Sequence, residues 1–279
     1  MVLGEVWEDA TTKESYGSRR RYLLGRQLDS VMNYPFRDAV LGFFTGMNAN
    51  EAAEGILSVL ENYPPQVVRL LMNHIGTHDT ERALTILAGE PSQGRGREWQ
   101  SSHFLSQEQR ERGVRLMKAA SAMQFTLPGV PCVYYGDEAG MEGYKDPFNR
   151  GCYPWGKENQ ELLAWYRRLG EIRAENPVFR EGEFRLLKAR GGVLAYVRED
   201  PEKKEESILC AFCAGEKAET VELPLEFQNG VVLLGGSLNS RVLTLEGESC
   251  CLIKAGKDVS AFVAGEERDM KIYVPKPSI

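Results

Sequence analysis

The sequence predicts an α/β unit followed by an all-β unit, and three observations carry that prediction. Over roughly the first 180 residues, short apolar runs alternate with helical stretches, as βα units around a parallel sheet do. From about Gly182 the grammar changes to short alternating runs separated by glycines and charges, with no helices between them, which reads as an antiparallel sandwich or sheet. The chain has 279 residues, 42% of them hydrophobic, so it can bury the core of one large or two smaller domains. The boundary falls near 179–183, giving domains 1–181 and 182–279.

Taken in order, residues 2–7 (VLGEVW) read as a buried strand and 30–34 (SVMNY) as a second short run. Residues 50–61 (NEAAEGILSVLE) have helical spacing, 67–72 (VVRLLM) read as a third strand and 130–135 (VPCVYY) as a fourth. Between the last two, an amphipathic helix runs from Ser106, placed to cap it, to about Phe125, with Leu127-Pro128-Gly129 stopping it. A further helix spans 159–174 and ends at Asn176-Pro177. Later strands fall at 193–197, 207–212, 231–234 and 250–253, and 201–206 (PEKKEE) is a solvated hairpin loop. Four βα units cannot close a parallel barrel, which needs eight strands; a small open α/β sheet is the alternative that spacing alone permits.

Composition narrows the partners. With 34 Lys+Arg against 40 Asp+Glu the net charge is -6, so nothing supplies the basic face a phosphate backbone needs. No apolar stretch is long enough to span a bilayer, and Glu5, Glu8 and Asp9 stand where a leader would be basic. The expected partners therefore exclude nucleic acid and membrane. Six cysteines are few for this length and read as reduced, in a cytoplasmic setting. Cys210 and Cys213 form a CxxC pair, but in a strand their sulfurs point to opposite faces, so packing is favoured over metal.

Sites in parallel α/β barrels lie at the C-terminal ends of strands. That selects Glu5 and Trp7, Asn33 and Tyr34, His78 and Asp79, and the stretch after Tyr135. Glu5 lies in an apolar strand, where desolvation would keep it protonated as a general acid requires; a paired structural carboxylate at a sheet rim is the alternative. His74 and His78 have the i, i+4 spacing of a metal pair, although Gly76 disfavours a helix there. A glycosidase needs a second carboxylate opposite its acid, and Asp79 is the candidate, with His78 as a donor to a sugar hydroxyl. Tyr134, Tyr135, Tyr144, Tyr153 and Trp155 mix with Asp137, Glu138, Asp146 and Arg150, a combination suited to a carbohydrate cleft or to packing beneath a long loop.

Six motifs in one order, residues 4–7 (GEVW), 28–36 (LDSVMNYPF), 78–82 (HDTER), 128–138 (PGVPCVYYGDE), 146–150 (DPFNR) and 153–155 (YPW), resemble the α-amylase family of glycoside hydrolases. Within it the chain is most similar to the neopullulanase, cyclomaltodextrinase and maltogenic amylase group. The resemblance covers about residues 2–155; beyond that only size and strand pattern match. It implies the second half of a (β/α)8 TIM barrel, about strands 5 to 8, with a C-terminal antiparallel β-sandwich. It also implies retaining cleavage of α-1,4 and, as the open alternative, α-1,6 glucosidic bonds in starch-derived oligosaccharides, cyclomaltodextrins or pullulan.

Position by position, the resemblance makes Glu5 the general acid/base, Asp79 the transition-state stabiliser and His78 the residue that holds glucose hydroxyls. Trp7, Asn33, Tyr34 and Arg150 fall where the group lines neighbouring subsites. Gly151 departs from the group, which frequently has a second basic residue after Arg150. The family's nucleophilic aspartate and companion arginine belong to strands that would precede Met1; the chain is therefore expected to be a fragment, inactive alone, that self-associates or pairs with the missing barrel half. No metal or cofactor is assigned. Two other readings stand beside this one: a short non-catalytic α-glucan-binding protein, and a metal-dependent hydrolase using His74, His78 and Asp79.

Overall fold

The computed structural model of the chain describes residues 1–256, and the tail of the expected second domain, 257–279, lies outside the described residues. The first part begins with β1 (Leu3–Gly4), a small hairpin of β2 (Glu14–Ser15) and β3 (Ser18–Arg19), and β4 (Ser30–Val31). Then come α1 (Tyr34–Phe44), α2 (Ala49–Asn62), α3 (Pro65–Val68), β5 (Met72–Asn73), α4 (Ala83–Ala88), α5 (Arg97–Ser102), α6 (Gln107–Thr126), β6 (Val130–Pro131), α7 (Gln160–Glu175) and α8 (Val178–Glu181). The rest is strand apart from two single 3-10 turns, Lys204–Glu206 and Leu225–Phe227: β7 (Glu183–Arg190), β8 (Val193–Glu199), β9 (Ile208–Cys213), β10 (Glu219–Glu222), β11 (Val231–Leu234), β12 (Ser237–Asn239), β13 (Val242–Leu245) and β14 (Ser249–Lys254).

Four short strands run parallel side by side in the order β1-β4-β5-β6. Leu3 pairs with Ser30, Met72 with Val130, and a bridge from Met32 to Met72 joins the two pairs. Each strand is shorter than its apolar run, and two expectations shift as a result. Residues 67–72 are not one strand: Pro64-Pro65 starts the helical turn α3, which takes Val67 and Val68, and pairing begins at Met72. Residues 30–34 are likewise divided, because the Asn33 side chain caps α1 by accepting from Phe36 N at 3.2 Å, so Tyr34 opens a helix. That helix was missed in the sequence because Asn33-Tyr34-Pro35 reads equally well as a strand end, while Pro35 in the first turn in fact favours a helix start.

The longest helix, α6, follows its sequence signals. Ser106 and Gln109 form a reciprocal capping box, and Gly113, Ala119, Ala120 and Ala122 leave room for close neighbours. Leu116, Met117 and Met123 are fully buried on it, each stabilising the fold by about 1.5–3 kcal/mol. Its C-terminal carbonyls are met by cations, the favourable sign at that end of the helix dipole: Arg173 donates to Phe125 O and Arg198 to Thr126 O, both at 2.6 Å.

After the last helix, Glu181, the chain is antiparallel. A five-stranded sheet, β11-β14-β9-β8-β7, faces a three-stranded one, β10-β13-β12. Period-2 alternation divides its central strands: Leu194, Tyr196, Ile208, Cys210, Phe212, Cys250 and Leu252 join the helical core, while Val193, Ala195, Leu209, Ala211, Cys213, Cys251 and Ile253 join a second core shared with Val221, Leu243 and Leu245. Cys210 and Cys213 thus lie on opposite faces, and all six thiols are free. Among the described residues no helix is long and apolar enough to cross a membrane.

Candidate active site

The C-terminal ends of the parallel strands bring four of the expected residues together. Glu5 follows β1 directly, and its Oε1 accepts from the Trp7 indole Nε1–H at 3.1 Å and from the Tyr34 hydroxyl at 3.3 Å. The rings of Trp7 and Tyr34 stack, with centroids 4.3 Å apart and planes 14° apart. Behind Tyr34 the imidazole of His74 stands edge-on at 4.6 Å. Burial, a hydroxyl contact to Thr77 and the charges of Glu5 and Asp79 act on the Tyr34 phenol, which is pushed up to about 12. The hydroxyl that donates to Glu5 therefore stays protonated at any working pH.

The loop after β5 carries His78 and Asp79. Asp79 is held on two sides, by His78 Nε2 at 3.1 Å and Arg150 Nη2 at 3.4 Å, while its own N–H donates to Thr77 Oγ1 at 3.2 Å. Arg150 also donates through Nε to the His78 carbonyl at 3.1 Å and meets Asp146 at 3.0 Å. Beneath lies Asn149, whose Nδ2 donates to the carbonyls of His78 and Thr80. Arg82 is completely buried, donates from Nε to Asn149 O at 2.8 Å and from Nη1 to Tyr135 O, sits over the Tyr134 and Tyr135 rings, and faces Asp137 at 3.4 Å. Burial, only partly offset by Arg82, pushes the Asp137 carboxyl up to about 7.

Several expectations need correcting. Glu5 is exposed rather than embedded in apolar surroundings, because only Leu3 and Gly4 pair in the sheet and Glu5 turns away from the buried Val6. Asn33 is 1% exposed and does not line the cleft: its Oδ1 caps α1 and its Nδ2 donates to Asn73 Oδ1 at 2.9 Å. Tyr144 and Asp137 are buried, so they are removed from the surface set of aromatics and acids, whereas Trp155 is 81% exposed. The pairing of His74 with His78 fails as well. His74 is buried, and desolvation together with the charge of Arg37 pushes it down to about 3. Among the described residues, no three His, Cys, Asp or Glu side chains converge to hold a metal.

The decisive comparison is with known families: the alpha amylase catalytic domain model matches residues 1–163. The chain belongs to the α-amylase family. Every site residue discussed above lies inside that match, while the two antiparallel sheets lie beyond it. Among curated family relatives, a cyclomaltodextrinase of Thermoanaerobacter pseudethanolicus is 37% identical over 227 residues, covering 80% of this chain and 33% of that protein. An amylopullulanase of Thermoanaerobacter thermohydrosulfuricus is 34% identical over 209 residues, covering 71% of this chain and 13% of that protein. The chain thus spans about a third or less of the length of these relatives. Among solved structures, the debranching enzyme from Nostoc punctiforme superposes with a TM-score of 0.73 at 26% identity, over 91% of this chain and 51% of that one. The type III pullulan hydrolase from Thermococcus kodakarensis superposes with 0.72 at 26% identity, over 90% and 39%.

The family motifs also contain what sequence reasoning missed. Asn149, Arg82 and Asp137 were visible as charged or polar letters beside the motifs, but no local signal says that they are buried beneath the loop rather than lining it. One signal was available: Gly76, where an added Cβ would overlap Asp137 Oδ2, marks a close approach of side chain to backbone.

Proposed function

We propose that this chain supplies the general acid/base, Glu5, and the transition-state-stabilising carboxylate, Asp79, of a retaining α-glucan hydrolase. Its substrates are starch-derived oligosaccharides, cyclomaltodextrins or pullulan, cleaved at α-1,4 bonds with α-1,6 bonds as the alternative. The observation that carries the reading is the placement of Glu5 and Asp79 on loops that follow β1 and β5 of the parallel strands, Glu5 held by Trp7 and Tyr34 and Asp79 by His78 and Arg150. In this scheme Glu5 protonates the leaving glycosidic oxygen. Asp79, fixed by His78 and Arg150, faces the positive charge that develops on the sugar. His78 and Arg150 hold hydroxyls at the cleavage point, and the free face of Trp7 stacks on a neighbouring ring.

A retaining mechanism needs a nucleophilic carboxylate about 5 to 5.5 Å from the acid. The proposal takes that group from outside the described residues, from a barrel half that pairs along the outer edges of β1 and β6; the four strands here are then strands 5 to 8, and the two antiparallel sheets are the C-terminal sandwich domain. Free thiols throughout support the cytoplasmic setting.

The test is hydrolysis and binding of maltoheptaose by the purified chain, alone and mixed with a polypeptide carrying the first barrel half of a family relative. The reading expects saturable binding alone, turnover only in the mixture, and loss of turnover in Glu5→Gln and Asp79→Asn. Turnover indifferent to both substitutions would overturn it. A second reading, a non-catalytic α-glucan binder, is favoured by Trp155, whose exposed ring lies 4.5 Å from that of Tyr153 as a sugar-sized aromatic platform. It expects binding that survives Glu5→Gln and Asp79→Asn, is lost in Trp155→Ala, and never yields turnover in the mixture.

A further inference from the structure

The two donors on Glu5 converge on one oxygen. Trp7 Nε1–H and Tyr34 O–H both reach Oε1, at 3.1 Å and 3.3 Å, and among the described residues no donor reaches Oε2. They arrive from different elements, Trp7 from the strand end that carries Glu5 and Tyr34 from the first turn of α1. The stack between their rings ties the donors to each other, and the edge of His74 backs the stack. Trp7 is 47% exposed, so its indole N–H could be satisfied by water but is spent on the carboxylate instead.

A carboxyl group that carries a proton is a donor on one oxygen and an acceptor on the other. An oxygen already receiving two hydrogen bonds serves as the acceptor, since protonating it would set its proton against two donor hydrogens. We infer that Trp7 and Tyr34 are positioning residues that hold Glu5 Oε1 as a permanent acceptor, so that Oε2 is the oxygen that gives and retakes the proton. Neither residue touches the reacting atoms through these bonds; both act through Glu5. Tyr34 suits the task because its phenol stays protonated, with Thr77 and Asp79 facing it from the loop after β5 and His74 neutral behind it. This assignment rests on the reading of Glu5 as the acid/base. It also gives Trp7 and Tyr34 a role distinct from sugar stacking, since one face of Trp7 is already covered by Tyr34.

Nitrogen-15 NMR of the whole chain tests the inference without requiring turnover. The sequence has four tryptophans, and Trp7→Phe identifies the Trp7 indole signal. The expected result is an indole resonance that moves with pH in the unmodified chain, no longer does so in Glu5→Gln, and stays protected from solvent exchange on both the acid and the basic limb. Tyr34→Phe keeps the stack but removes a donor to the charged form, so the titration midpoint should rise by about one pH unit. An indole signal that ignores pH, or ignores Glu5→Gln, overturns the bracket; protection lost on the acid limb places the proton on Oε1 and overturns the assignment of Oε2. Trp7→Phe and Glu5→Gln change exposed positions, so the decisive comparison does not depend on the buried Tyr34 variant. If the bracket holds while turnover in the mixture ignores Glu5→Gln, it is the functional reading that fails.

Discussion

Asn149 grips the backbone of His78: its Nδ2 donates to the His78 carbonyl at 2.7 Å and, at the same distance, to the Thr80 carbonyl, while its own carbonyl accepts from buried Arg82. The side chain thus closes the loop that carries Asp79 from below, where the cation of Arg150 closes it from outside. Because Asn149 is fully buried, removing it strands the Thr80 carbonyl without a replacement solvent.

Asn149→Ala is expected to cost about 2–3 kcal/mol of stability, from orphaned carbonyls and an unfilled side-chain volume. Thermal unfolding measures that loss. Maltooligosaccharide affinity should fall as well, since His78 and Asp79 lose their shared anchor; an unchanged affinity in a variant that has lost stability would show that the loop is held by Arg150 alone.

Asp137 makes stability pH-dependent. With its carboxyl raised to about 7 by burial, the folded chain holds a proton that the unfolded chain releases near pH 4. The unfolded state therefore binds fewer protons across that window, and this group's contribution to stability falls as pH rises from about 4 through 7. Urea unfolding at pH 5 and pH 8 should show the chain weaker at pH 8, and Asp137→Asn should flatten that difference. Gly76→Ala, which drives a methyl group into Asp137, should cost about 1–3 kcal/mol at either pH.

Glu248 docks the β-rich part onto α6. Its side chain is 4% exposed and meets Arg112 Nε at 2.5 Å and Arg115 Nη2 at 2.9 Å, whereas both arginines are about half exposed. The asymmetry predicts unequal costs. Glu248→Gln leaves two arginines that water can solvate, a loss of about 1 kcal/mol. Replacing both Arg112 and Arg115 with Ala leaves a buried carboxylate without a partner and should cost about 3 kcal/mol or more. Equal losses in chemical denaturation would contradict this.

Thiol chemistry follows burial. Cys152 is exposed, while Cys210, Cys213, Cys250 and Cys251 are buried with their thiols pushed up, Cys210 and Cys251 to about 12. Only a thiolate attacks a disulfide reagent readily. In the folded chain Cys152 should label first, Cys132 slowly, and the four core thiols only after denaturant; rapid reaction of more than two thiols would mean that the sheets open in the native state.

Local letters were enough for α2, α6 and α7, although not for α1, whose cap Asn33 reads equally well as a strand end. Ser106 with Gln109, Asn48 before α2 and Asn159 before α7 announce their helices because the capping bond forms within three residues. The change from helices to antiparallel strands near Gly182 was equally legible, since hydrophobic period is a local property. Family motifs likewise named Glu5 and Asp79. What the letters could not determine was exposure. The parallel strands shrank to two residues each, because pairing length depends on neighbours distant in sequence; Glu5 was therefore exposed, although its run is apolar. Asn33 shows the same limit, since its partners are Phe36, close along the chain, and Asn73, forty residues on. The sequence by itself determined which side chains are candidates for the chemistry and where α2, α6 and α7 run; only the tertiary structure decided which of them face solvent, which oxygen of Glu5 is occupied, and that Asn149 and Arg82 lie beneath the loop, because burial and hydrogen-bond partnership are set by contacts between segments that no local pattern encodes.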